Sequence, residues 1–184
     1  HALSIRGLPA HPVGAEDIGV HLDGAGRASR VDLDKSRAML DRSAFHGVPV
    51  VTGWFGEGTD GDIALLGRGG SDHTATALAA LLQARRVTLW KDVSGIYPVN
   101  PRWGVQSTPI PYLGYGEAIA FSNADATILH PATVEPVYEM GIPIEIRHLA
   151  HHKNGAMKTI IGPDIEATPN IKGIACTPRV AYVN

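Results

Sequence analysis

Only one cysteine, Cys176, occurs in the 184 residues, so no internal disulfide is possible. A lone thiol suits a reducing compartment and favours a cytoplasmic location. No apolar run approaches the roughly 20 residues that a membrane-spanning helix needs, and residues 1–14 lack the charged-then-apolar order of a signal peptide. The net charge of −2 excludes a general attraction to nucleic acid or to an anionic membrane.

The rest of the composition is typical of a folded domain. Hydrophobic residues make up 44% and charged residues 18% of the chain, which argues against disorder and allows one domain with a core. The chain begins with His1 instead of Met, and residues 180–184 resemble a strand cut short. We therefore expect a piece of a longer protein, with residues 160–170 as a linker before a new segment at 171–184.

Short β-branched runs alternate with helical segments, and this alternation predicts a layered α/β fold with a mostly parallel sheet. Residues 1–34 give only a weak periodic signal. The segment 74–84 is apolar around nearly its whole circumference and predicts a buried helix with Ser71 or Asp72 as its N-cap. The other predicted elements are a buried strand at 48–52, a hairpin at 54–66, strands at 87–90 and 142–146, and helices at 34–45, 115–121 and 131–140.

A glycine-rich turn, GRGGSD at residues 67–72, precedes the helix predicted at 74–84. Such a turn lets backbone N–H groups converge on an anion at a helix N-terminus. Arg68 can hold a carboxylate or phosphate through two parallel hydrogen bonds, whereas Asp72 suits an ammonium group. Together they fit a zwitterion such as an amino acid. The motif alone leaves open that the glycines only form a turn and Asp72 only caps the helix, and it matches neither phosphate-loop nor dinucleotide fingerprints.

A second polar segment, KDVSGIY at residues 91–97, follows the strand predicted at 87–90, and Asn100, Pro101 and Arg102 come shortly after. Ligands of α/β proteins bind beyond the carboxyl ends of such strands. Asp92 could accept a hydrogen bond from a ribose, Tyr97 could flank a base or a phosphate, and Lys91 and Arg102 could neutralise phosphate charge. An ordinary exposed loop is the alternative that the segment alone leaves open.

Taken together, LGRGGSD, LWKDVSGIYPVNPR and ILHPATVEPVYEMGIPIEIR closely resemble the aspartate kinases of the amino acid kinase family. The resemblance runs from about residue 48 to residue 147, and KDVSGIYPVNPRWGV resembles forms fused to diaminopimelate decarboxylase. It implies a partial three-layer α/β/α sandwich over residues 1–162, the nucleotide-binding part of the kinase domain. Residues 163–184 would be a linker and the first strand of a truncated regulatory domain of the ACT type.

The resemblance also implies a reaction and a set of site residues. The γ-phosphoryl of ATP, carried with Mg²⁺, would move to the side-chain carboxylate of L-aspartate, giving 4-phospho-L-aspartate, the first step towards lysine, threonine and methionine. The aspartate would be bound by Arg68, Gly69, Gly70, Ser71 and Asp72. The ATP would be bound by Lys91, Asp92, Tyr97, Arg102 and Thr127. The implied partners are these small molecules and further copies of the chain.

The chain departs from the family pattern at several positions. Nothing matches the family's Lys-Phe-Gly-Gly segment, whose lysine stabilises the transferring phosphoryl group. Thr127 stands where a phosphate-contacting lysine is usual, Lys91 where threonine is usual, and Asn100 where aspartate is usual. A non-catalytic regulatory fragment of such a kinase, which binds a nucleotide or an amino acid, therefore stays open as an alternative function.

Other polar residues give weaker signals. His148, His151 and His152 lack a cysteine or acidic partner at zinc-site spacing, so a solvated turn is expected there. Glu145 and Arg147 alternate with isoleucines, which predicts a strand with one polar face.

Overall fold

The computed structural model of the protein describes residues 1–28, 30–123, 129–150, 156–165 and 171–174. The backbone divides into two compact units, His1–Gln83 and Ala84–Asn184. Across the described strands, four pairs run parallel and two run antiparallel. The predicted α/β class with mostly parallel sheets is confirmed.

The first unit holds two small sheets. Strands β1 and β3 pair in parallel, while β2, β5 and β4 form a second sheet with β2 parallel and β4 antiparallel to β5. Its described elements are α1 (Ala2–Ile5), β1 (Ala10–Val13), β2 (Arg27–Ala28), α2 (Leu33–Met39), a 3-10 helix (Arg42–Ala44), β3 (Val48–Val51), β4 (Phe55–Glu57), β5 (Ile63–Leu66) and α3 (Gly70–Leu81).

The segment before α2 supplies much of the core of this unit, which its weak periodicity did not predict. Val13, Ile18, Val20 and Leu22 are buried there together with Leu66 of β5. Ile18, Val20 and Leu22 are spaced two apart, as in a strand, but this short run lies in turns and isolated bridges, so no regular element marks it as part of the core.

The predicted hairpin is confirmed as β4 and β5. Strand β3 was predicted to be buried, and this is wrong: Val48 is 36% and Val50 is 51% exposed. Alternate side chains of a strand face opposite sides, and only Pro49 and Val51 lie on the partly covered side, where Val51 packs against the core.

The buried helix is confirmed as α3, of which His73, Thr76 and Ala77 are among the buried residues. Its start differs from the prediction, because neither Ser71 nor Asp72 is the N-cap. The cap is Gly69, whose φ of 76° is left-handed, a conformation that glycine adopts without steric cost. The helix therefore begins at Gly70, and Asp72 falls in its first turn.

The second unit holds one four-stranded sheet in the order β6-β8-β9-β7, in which β8 and β9 are antiparallel and the other pairs are parallel. Its described elements are β6 (Val87–Lys91), a 3-10 helix (Pro101–Trp103), β7 (Tyr112–Gly114), α4 (Tyr115–Asn123), a second 3-10 helix (Pro131–Thr133), α5 (Glu135–Tyr138), β8 (Ile144–His148) and β9 (Thr159–Gly162).

The core of this unit contains Leu113, Val137, Ile144, Ile146 and Ile161. Residues 160–170 were predicted to be a linker, which is wrong at the start of that range, because β9 pairs with both β7 and β8. Two apolar residues between a threonine and a glycine gave too short a signal for a strand.

None of the helices that the structure describes has the length and apolar character of a membrane-spanning segment.

Candidate functional site

The turn from β5 into α3 has a defined backbone geometry. Gly70 N–H donates to the carbonyl of Gly67 at 3.1 Å, and His73 N–H donates to that of Gly69 at 3.0 Å. Within the described residues, the backbone N–H groups of Arg68, Gly69 and Ser71 have no protein acceptor. These groups belong to the turn and the first turn of a helix, where the dipole favours an anion.

The side chains of the predicted substrate site lie on this same turn. Arg68 and Ser71 are exposed, and Asp72 is half-buried. In the described part of the chain, no ion pair or hydrogen bond involves the Arg68 guanidinium. Within six consecutive residues, the turn therefore carries an exposed guanidinium, a carboxylate and backbone N–H groups that have no acceptor among the described residues.

Trp54 lies against this turn, a contact that no motif in the sequence predicted. Its indole Nε1–H donates to the Gly67 carbonyl at 3.1 Å, and its backbone N–H donates to Thr74 Oγ1 at 3.1 Å. A Cβ atom at Gly70 would lie 2.5 Å from Trp54 Cδ1 and 2.7 Å from Leu66 Cβ. Glycine at position 70 is thus required by the close approach of the indole.

His73 ties the start of α3 to the segment before α2. The buried His73 ring accepts a hydrogen bond at Nε2 from the Val31 N–H, over 2.9 Å. A backbone N–H can only donate, so Nε2 carries no proton and the ring is neutral in this arrangement.

The predicted nucleotide loop begins at Lys91, the last residue of β6. Thr159 anchors it: Thr159 Oγ1 accepts from Ile96 N–H at 2.8 Å and donates to the Ile110 carbonyl at 2.7 Å. A side chain at Gly95 would collide with Thr159. The backbone of the loop is therefore held against β9, the strand that the sequence had not predicted.

The residues predicted to contact ATP are spread along this loop. Lys91 and Tyr97 are half-buried, while Asp92 and Arg102 are exposed. Arg102 lies in a 3-10 helix whose first turn is capped by the side chain of Asn100, which accepts from Arg102 N–H at 3.0 Å. The fifth predicted residue, Thr127, lies outside the described residues.

The far end of the same loop is held by residues 171–174. Ile174 N–H donates to the Pro98 carbonyl at 2.7 Å, and Lys172 Nζ donates to Glu117 Oε2 at 2.6 Å. Burial raises the pKa of Glu117, but the bonds from Lys172 and from Gly114 N–H outweigh burial and leave that pKa below its ordinary value.

Glu145 was predicted to lie on a polar strand face, yet it is one of the buried residues of the second unit. It accepts hydrogen bonds from Lys158 Nζ at 2.9 Å and Arg147 Nε at 3.0 Å, and Arg86 lies 3.8 Å away. Burial raises its pKa, but the bond and charge of Lys158 and the charges of the two arginines lower it more.

A zinc site near the histidines was not expected. Among the residues that the structure describes, no group of three or more His, Cys, Asp or Glu could hold a metal ion. His148 Nδ1 accepts a hydrogen bond from Ala150 N–H at 2.9 Å, whereas His151 and His152 lie outside the described residues.

Comparisons with known proteins agree with the resemblance drawn from the sequence. Residues 1–148 match the model of the amino acid kinase family. The chain is 35% identical over 164 residues to the aspartokinase of Geobacillus stearothermophilus, an alignment that covers 88% of this chain and 39% of that protein. It is 32% identical over 160 residues to aspartokinase 2 of Bacillus subtilis, covering 86% of this chain and 38% of the relative.

Solved structures give the same result. E. coli aspartokinase III in complex with aspartate and ADP superposes with a TM-score of 0.78 at 29% identity, covering 89% of this chain and 37% of that one. The same enzyme in complex with lysine and aspartate gives 0.73. This chain spans about two fifths of the length of these relatives. The relatives described above are aspartokinases, and the chain belongs to the amino acid kinase family.

Proposed function

We propose that the chain is the nucleotide-binding part of an aspartate kinase, an enzyme that transfers the γ-phosphoryl group of ATP to the side-chain carboxylate of L-aspartate. The product would be 4-phospho-L-aspartate, at the first step towards lysine, threonine and methionine. The kinase domain would end near residue 162. We also propose a cytoplasmic location and assembly into a homo-oligomer.

The turn at residues 67–72 is the observation that carries this proposal. Arg68 has no protein partner among the described residues and is exposed, so its guanidinium is available to pair with a substrate carboxylate. Asp72, four residues on, has the charge that an ammonium group requires. An aspartate complex of E. coli aspartokinase III is one of the structures that this chain resembles.

The loop at residues 91–102 would hold the nucleotide. Asp92 would meet the ribose or adenine, Tyr97 would line the nucleotide, and Lys91 and Arg102 would lie near the phosphates. The ADP complex of E. coli aspartokinase III supports nucleotide use. Mg²⁺ enters only with the ATP phosphates, whose charge it would neutralise. Phosphoryl transfer of this kind depends on in-line positioning of the two substrates and requires no covalent enzyme intermediate.

A non-catalytic binding fragment is the second candidate, and it rests on the sequence. No Lys-Phe-Gly-Gly segment is present, and threonine stands at position 127 in place of a lysine. A chain with these departures could bind nucleotide or amino acid without turnover.

Substitution of Arg68 tests the proposal in the protein expressed from its complete reading frame. A desolvated charge-assisted pair contributes about 2 kcal/mol, so Arg68→Ala should raise the aspartate KM about 30-fold and leave the ATP KM nearly unchanged. The matched control is Arg85→Ala, because Arg85 is also exposed and has no partner among the described residues. Loss of ATP binding with intact aspartate binding would contradict the assignment.

A further inference from the structure

Trp54 has a backbone conformation that bulky residues avoid. Its φ is 79°, in the left-handed region where a non-glycine side chain meets its own backbone. Such conformations persist only where surrounding contacts fix them, and they cluster at functional sites. Glycine at position 54 would adopt this conformation more easily than tryptophan does. The reason for tryptophan at this position therefore lies in the contacts of its indole.

Three hydrogen bonds hold Trp54 in this conformation. Its N–H donates to Thr74 Oγ1, its carbonyl accepts from Leu66 N–H at 2.8 Å, and its indole N–H donates to the Gly67 carbonyl. Thr74 Oγ1 in turn donates to the Gly70 carbonyl at 2.9 Å. Trp54 is thereby tied to both ends of the glycine-rich turn.

The bond to Gly67 determines the direction of the next amide. The Gly67 carbonyl accepts from both Trp54 Nε1 and Gly70 N–H, which fixes the plane of the Gly67–Arg68 peptide. In a trans peptide the C=O and N–H point in opposite directions. Arg68 N–H is therefore turned away from the indole, and it finds no acceptor among the described residues.

We infer that Trp54 is a positioning residue for the amino-acid substrate. Its indole N–H holds the Gly67–Arg68 peptide so that the Arg68 amide and side chain are presented to a substrate carboxylate. Trp54 acts through the turn and need not touch the substrate. This inference rests on the proposed function, since it assumes that the turn binds L-aspartate.

The test compares two replacements of Trp54 in the protein from the complete reading frame. Trp54→Phe keeps an aromatic ring against Gly70 but removes the donor. A benzothienylalanine residue at position 54 keeps the full shape of the indole and replaces N–H by sulfur, so it reports on the hydrogen bond even if the phenylalanine variant folds poorly. Trp90→Phe is the control, because Trp90 and Trp54 are equally exposed at 48%.

Both replacements should raise the aspartate KM about five- to tenfold, as expected for one lost hydrogen bond. The values of kcat and of the ATP KM should stay within about twofold. This result would distinguish a positioning role from a purely structural defect, because such a defect reduces the active fraction and lowers kcat. Hydrogen exchange at the Gly70 amide should become faster, since its acceptor loses a second anchor.

Two results would overturn the inference, and they are distinguishable. An unchanged aspartate KM in both variants, with wild-type turnover of aspartate intact, refutes the role of Trp54 and leaves the proposed function standing. Absence of aspartate turnover in the wild-type protein refutes the proposed function, and the inference falls with it.

Discussion

Adding a single methyl group at Gly70 perturbs the contact between the indole and the turn most directly. The new Cβ would lie 2.5 Å from Trp54 Cδ1 and 2.7 Å from Leu66 Cβ, both closer than van der Waals contact. The indole can shift, but Leu66 Cβ is fixed to the backbone of β5. Overpacking of this kind costs typically about 1–3 kcal/mol, and the gain of up to about 1 kcal/mol from replacing a helical glycine offsets part of it. We expect Gly70→Ala to destabilise the first unit by about 1–2 kcal/mol.

Gly67→Ala is the matched control for this substitution. Nothing lies within 4 Å of an added Cβ at Gly67, and its φ is not among the positive values. Alanine at such a position is neutral or stabilises by up to about 1 kcal/mol, because it restricts the unfolded chain. Urea unfolding would be followed by fluorescence after Trp90 and Trp103 are changed to Phe, which leaves Trp54 as the reporter of the first unit. Equal stability of the two alanine variants would refute the packing argument.

Three further predictions concern the second unit and the chain as a whole. Glu145 has a folded pKa below its ordinary value of 4.5, so its contribution to stability is present above pH 4.5 and is lost as the pH falls through the folded pKa. Glu145→Gln should therefore flatten the acid-side dependence of the unfolding free energy on pH, measured by urea unfolding. An unchanged pH dependence would contradict this role of Glu145. Lys172→Met should raise the pKa of Glu117, measured by NMR, speed hydrogen exchange over residues 94–100 and weaken ATP·Mg binding a few-fold, whereas Lys35→Met should do none of these. The 184 residues alone should show no kinase activity in a coupled assay, because each missing preorganised cation costs about 10²-fold in rate, and turnover near that of whole aspartate kinases would contradict this.

The sequence predicted those features that depend on local pattern. The apolar circumference of 74–84 indicated the buried α3, and glycines between two short apolar runs indicated the β4–β5 hairpin. The charges of Arg68 and Asp72 favour a zwitterion site, which stays a prediction. Each of these depends on residues close together along the chain.

Features that depend on distant contacts could not be predicted in this way. The position of Trp54 against Gly67 depends on a left-handed backbone that no propensity favours for tryptophan. Lys172 gave no signal because its partner, Glu117, lies 55 residues away. The cap at Gly69 was missed because Ser71 and Asp72 are better caps by residue type, whereas the left-handed φ of Gly69 starts the helix at Gly70.

The identity of the phosphoryl acceptor tests the central claim most directly. The protein from the complete reading frame would be incubated with ATP·Mg and, separately, L-aspartate, L-glutamate or N-acetyl-L-glutamate, with hydroxylamine present to trap an acyl phosphate as its hydroxamate. The turn of Arg68 and Asp72 within the aspartokinase-like fold predicts hydroxamate with L-aspartate and none above background with the other two. Hydroxamate formed from glutamate or its acetyl derivative, with none from L-aspartate, would contradict the account.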